Sequence, residues 1–133
     1  MKRQVIFLMF VVVLSSCSKD SPDGKWDDNI KLSTKYVEFT SAQDSVVINT
    51  EGSWWWINAI MLGDSTYTYF NNDVDFESDS YTISEDSFVV EKRNSYTLFV
   101  RMEANNDNKE RTLKLFLQAG DYFDGVTILQ AAN

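Results

Sequence analysis

Histidine is absent from the chain and cysteine occurs once, at position 17. Without histidine most nucleophile–base pairs lack their base, and no glycine-rich phosphate loop or nucleophile elbow occurs to supply another chemistry. A single cysteine excludes an internal disulfide, so the hydrophobic core has to hold the fold unaided. Paired carboxylates remain as a route to glycoside hydrolysis, but a small domain leaves little room for the cleft they need. The chain therefore reads as non-enzymatic.

Basic residues are the other shortage. Lys and Arg number 12 against 20 Asp and Glu, a formal net charge of −8, and no basic residue occurs from Tyr36 through Glu91. Such a surface repels phosphates, which sets nucleic acid aside as a partner. Solubility is one use for this charge; attraction of a cation or a basic partner is the other.

What is present begins with a tether. Lys2 and Arg3 precede an unbroken apolar run from Val5 to Leu14, followed by Ser15 and Ser16, the pattern of a secretory signal peptide over residues 1–16. The run is too short to cross a bilayer as a helix. It ends in Leu14-Ser15-Ser16-Cys17, which resembles the bacterial lipoprotein signal. That resemblance implies cleavage before Cys17, a diacylglyceryl group on its thiol and acylation of the new amine, and several acyl chains anchor stably where one does not. Residues 17–28, with Ser18-Lys19-Asp20-Ser21-Pro22-Asp23-Gly24, then form a lipid-anchored flexible linker. Lys19-Asp20 partly resembles the signal that sends Bacteroidota lipoproteins to the outer face of the outer membrane. The expected location is the outer membrane, at the cell surface or on the periplasmic face.

From there to the C-terminus no helical period occurs, and short alternating runs recur at hairpin spacing. Ile30–Ser33 and Tyr36–Thr40 read as one broken strand or two short ones. Ser45–Thr50 is β-branched, and Glu51-Gly52 closes it before a strand carrying Trp54, Trp55 and Trp56. Tyr67–Phe70 and Tyr81–Ile83 are further short strands. Phe88–Glu91, a turn at Lys92–Ser95, a strand Tyr96–Glu103, a turn at Asn105–Asn108, a strand Thr112–Gln118, a loop Ala119–Gly125 and a strand Val126–Gln130 complete the chain. The pattern predicts an all-β antiparallel β-sandwich over residues 29–133, one domain with one core.

The strand Ile30–Phe39, Val46-Val47-Ile48 running into Gly52-Ser53-Trp54, the Ala104-Asn105 turn before Glu110-Arg111-Thr112, and the closing Val126–Gln130 together resemble a BACON domain. That Bacteroidota module is a small immunoglobulin-like β-sandwich often found on secreted carbohydrate-active proteins, so the resemblance implies an immunoglobulin-like antiparallel β-sandwich here. The resemblance implies a glycan or mucin role, or a spacer role.

Strand alternation puts Trp54 and Trp56 on one face and Trp55 on the other with Ser53 and Ile57. The resemblance implies a core tryptophan at the Gly-Ser-Trp position, so Trp54 and Trp56 are expected in the core. Trp55 is then the candidate contact, either an exposed platform or covered by the segment 63–87. A sugar ring stacks on aromatic faces while amides and acids bond its hydroxyls, and Trp55, Tyr67, Tyr69, Phe70 and Tyr81, with Asn71, Asn72 and Asp73, are the residues suited to it. Asp73, Asp75, Glu77 and Asp79 offer oxygen ligands at every second position, the candidate set for calcium if the segment loops. The expected function is a surface module binding glycan or a partner protein of a glycan-uptake system. A purely structural lipoprotein and a calcium-dependent adhesin-like module are the alternatives.

Overall fold

The computed structural model describes residues 27–69 and 74–133. Among them lie β1 (Tyr36–Phe39), β2 (Asp44–Asn49), β3 (Trp56–Leu62), β4 (Ser65–Tyr67), β5 (Tyr81–Ser84), β6 (Phe88–Asn94), β7 (Thr97–Met102), β8 (Arg111–Ala119) and β9 (Tyr122–Gln130). None of these residues is helical. The strands form two sheets, ordered β1-β9-β8-β3-β4 and β2-β7-β6-β5, which make an immunoglobulin-like β-sandwich. Pairing is antiparallel except at one edge, where β1 runs parallel to β9 with Tyr36 opposite Thr127 and Phe39 opposite Gln130.

Period-two alternation fills the space between the sheets. Leu113, Leu115 and Leu117 of β8 point inward together with Val126 and Ile128 of β9, and they meet Phe88 and Val90 of β6 and Leu98, Val100 and Met102 of β7. Lys114 and Phe116 stay on the outer face. At roughly 1.5–3 kcal/mol for each fully buried large apolar side chain, this layer is the main stabilising term in a chain with no internal disulfide.

Several boundaries differ from the sequence pattern. Ile30–Ser33 forms no strand: Ile30 is a fully buried plug, Lys31 adopts a left-handed backbone with φ 52°, and Leu32 makes a lone bridge to Thr50. The turn expected at Lys92–Ser95 begins later, because β6 continues to Asn94 through an irregularity after Lys92. The expected loop at Ala119–Gly125 shrinks to a two-residue turn at Gly120-Asp121, where Gly120 takes φ +60°. An extra residue, Asn58, sits in β3 between the pairs Ile57–Leu117 and Ala59–Phe116, and this bulge lets both Ile57 and Ile60 face the core although they are three apart.

Away from the tryptophans a polar network ties the start of β8 to the end of β9. Arg111 Nε donates to Gln130 Oε1 at 2.7 Å, and Gln130 Nε2 donates to the carbonyls of Ala42 and Glu103. Asn105 is also buried, and its amide donates to the carbonyls of Lys109 and Ala131. Every buried polar side-chain atom here has a partner, so hydrogen bonds offset the cost of taking these groups out of water and fix the loop ends.

Candidate ligand-binding site

The three tryptophans are arranged by the chain just before them. The Gly52 amide donates to the Ile30 carbonyl at 3.1 Å, and a side chain at position 52 would overlap the carbonyl oxygen of Asn29. Only glycine lets these two segments lie this close. Thr50 Oγ1 donates to the Gly52 carbonyl at 2.7 Å and accepts the indole N–H of Trp55 at 3.1 Å. The same N–H also reaches the Ser95 carbonyl at 2.9 Å. Trp55 is thereby sealed in the core at 1% exposure.

Alternation then sends its neighbours outward. Trp54 is 69% exposed, and Trp56 is half-buried beside it. Their rings meet edge to face with centroids 5.5 Å apart and an interplanar angle of 71°. Trp54 also lies against the β8–β9 turn, its ring 3.3 Å from where a side chain on Gly120 would begin. The outward indole is therefore propped on two sides. The expected core placement of Trp54 and Trp56 is reversed, since they form the outward pair, and of the two alternatives for Trp55, platform or burial, the structure has burial.

Lys92 is the second organising residue. It occupies an inward position on β6, in phase with Phe88 and Val90, and is only 3% exposed. Its ammonium donates to the Trp55 carbonyl at 2.7 Å and to the Ser78 carbonyl at 3.3 Å. It also lies 4.7 Å from the centre of the Trp55 ring, within cation–π range. Desolvation pulls its pKa below the ordinary lysine value, and the Asp79 carboxylate opposes that shift.

One ammonium thus connects the tryptophan segment to the acidic loop, and between them opens a pocket of about 270 Å3. Trp54 and Trp56 line one side; Phe76, Glu77 and Asp79 line another, and Trp55 and Lys92 complete it. The acidic loop is folded rather than extended. Asp75 accepts the Glu77 amide on its side chain at 3.1 Å and the Ser78 amide on its carbonyl at 3.1 Å. Asp79 Oδ1 accepts the Ser95 hydroxyl at 2.8 Å. Phe76 packs edge to face on Tyr81 with centroids 5.5 Å apart. Flat aromatic surface beside carboxylate acceptors is the combination that holds a sugar ring by its apolar face and its hydroxyls.

The other aromatic candidates belong to the packing. Tyr67 stacks edge to face on Phe88. Tyr69 is buried, its hydroxyl donates to Glu85 Oε1 at 2.9 Å, and burial followed by that bond raises its pKa. The Tyr81 hydroxyl accepts the Ile57 amide at 2.9 Å, and burial pushes its pKa up to about 12. Phe70, Asn71, Asn72 and Asp73 lie outside the described residues, as do residues 1–16, Cys17 and most of the linker. Among the described residues no three acidic side chains converge as a metal site would need. Asp75 and Asp79 instead bond to the chain itself.

The sequence pointed to the tryptophan segment and to the acidic run, but not to Phe76 or Lys92 as pocket residues. Lys92 had a signal, since period two places it on the inward face of β6.

No protein-family model and no curated protein matches the chain. Among solved structures, the chain is similar to an NMR structure of a protein from Bacteroides thetaiotaomicron. The two share 17% identity at a TM-score of 0.66, over 88% of this chain and 98% of the other. This likeness shows a shared fold. A chaperone–tip adhesion subunit pre-assembly complex from the archaic chaperone-usher Csu pili of Acinetobacter baumannii matches at 10% identity, over 78% of this chain and 57% of that one. Its TM-score is 0.40.

Proposed function

We propose that this chain is a lipid-anchored, non-enzymatic module of the outer membrane, displayed at the cell surface as a BACON-like domain, that binds glycan in the pocket between Trp54 and Phe76. The observation that carries the reading is the propped, outward indole of Trp54 beside Trp56 and the carboxylates of Glu77 and Asp79. An exposed tryptophan whose orientation is fixed from two sides loses little freedom on stacking against a ligand. The reading as a binder rather than a catalyst rests on the absence of histidine and on the lone cysteine, which the lipoprotein-like signal assigns to acylation. Anchoring at Cys17 rests on the Leu14-Ser15-Ser16-Cys17 pattern.

Two substitutions test the two halves separately. Trp54→Ala keeps the fold and abolishes binding on a broad glycan array. Wild-type protein that binds no glycan, or a variant that binds equally well, removes the glycan half and leaves a structural lipoprotein. Cys17→Ala moves the protein from the membrane fraction to the soluble one; retention in the membrane removes the anchor.

A further inference from the structure

We infer, on the glycan reading above, that the pocket selects sugar residues that are uncharged or carry an amine and turns away those carrying carboxylate or sulfate. The pocket contains one cationic group and two anionic ones: Lys92 against Glu77 and Asp79. The lysine looks at first like an anion receptor, but its charge is already committed. Two of its three N–H groups bond to the carbonyls of Trp55 and Ser78. The head lies over the Trp55 ring and 5.9 Å from the centre of the Tyr81 ring. Carbonyl oxygens and π-faces are what a cation seeks, so the protein solvates this ammonium internally. The nearby Asp79 carboxylate favours its charged form.

Glu77 is then left over. Its side chain is exposed at the pocket, and no lysine or arginine pairs with it among the salt bridges of the described residues. An acidic sugar stacked between Trp54 and Phe76 would bring its charge beside this carboxylate, in a chain segment with no basic residue from Tyr36 through Glu91. Repulsion at such range, near low-dielectric aromatic walls, is stronger than between two charges in open water. A neutral ring meets the same groups as hydrogen-bond acceptors for its hydroxyls, and a protonated amine gains a charge-assisted bond.

The experiment uses the mature chain, wild type and Glu77→Lys, on a glycan array sorted by charge. Oligomers of N-acetylglucosamine, glucosamine and galacturonic acid are then titrated in solution, followed by the indole N–H signals in NMR spectra. Wild-type hits are expected among neutral and amine-bearing glycans, with acidic oligomers at least about tenfold weaker, and Glu77→Lys is expected to narrow or reverse that ratio. Acidic glycans that bind as well as neutral ones, or a ratio that Glu77→Lys leaves unchanged, overturn the selectivity. If that binding still disappears in Trp54→Ala, the glycan site itself stands. The absence of any bound glycan removes both.

Discussion

The Lys92 ammonium donates a hydrogen bond to the carbonyl of Trp55 and also lies 4.7 Å from the centre of the same residue's ring. Backbone and side chain of one tryptophan therefore hold a single buried cation, and the bond to Ser78 extends that hold to the acidic loop. Lys92→Met keeps most of the apolar stem but leaves both carbonyls without this donor. A loss of roughly 1–3 kcal/mol is expected from the stranded acceptors, read as a lower urea midpoint. Faster hydrogen exchange across residues 76–79 should accompany it. A variant as stable as wild type, with the loop still protected, would show that the cation is not a structural link.

Trp54 and Trp55 are neighbours in sequence and opposites in consequence. Trp55→Ala empties a fully buried indole site and removes two hydrogen bonds, so about 3–5 kcal/mol of stability should be lost. Trp54→Ala removes an exposed ring and should shift stability by no more than about 0.5 kcal/mol. Thermal melts of the two variants side by side check this, and equal effects would refute the assignment of inside and outside.

Alkaline pH should act in two phases of opposite sign. The folded pKa of Lys92 is depressed, so between that value and the ordinary 10.5 the unfolded chain holds the proton more tightly and stability rises with pH. Tyr81 works the other way. Above its ordinary value of 10.0 the unfolded chain ionises while the folded one keeps the proton to about 12, so stability falls. Urea midpoints measured from about pH 8 to 11 should therefore climb and then decline. Lys92→Met should flatten the climb, and Tyr81→Phe should soften the decline.

Gly52→Ala tests the crossing of chains beneath the tryptophans. The added methyl would overlap the Asn29 carbonyl, which is backbone and cannot rotate away. A loss of roughly 1–3 kcal/mol is expected from the forced shift. Amide chemical-shift changes centred on residues 28–30 and 50–55 should report it. A silent substitution would mean that the 28–30 segment is free to move off the sandwich.

Much of the fold was legible because alternation in β7 and β8 is unbroken: Leu98, Val100 and Met102, then Leu113, Leu115 and Leu117, place one face of each strand inside. The phase of the tryptophans was also legible, since Trp55 falls in step with Ile57. The side was not. Assigning Trp54 and Trp56 to the core followed a family pattern, whereas Ile57, the aliphatic residue nearest the three and in step with Trp55, marked the Trp55 side as interior. The bulge at Asn58 concealed Ile60, whose spacing from Ile57 breaks the alternation. The acidic run looked like a row of cation ligands because an extended backbone sets carboxylates at every second position. The turn at Asp75 spends one of them on the Glu77 amide and carries Phe76 and Glu77 to the tryptophans, a rearrangement that no periodicity encodes.

The close approach of Asn29 to Gly52 also sets the first described residues of the domain against the residue that precedes Ser53 and Trp54 of the pocket lining. If Cys17 holds the lipid, the dozen residues from there to Asn29 can stretch no further than about 40 Å. The face that carries Trp54 would then be kept on a short leash close to its own bilayer. Glycans and partners rooted in that same membrane would reach it sooner than those presented by a neighbouring cell.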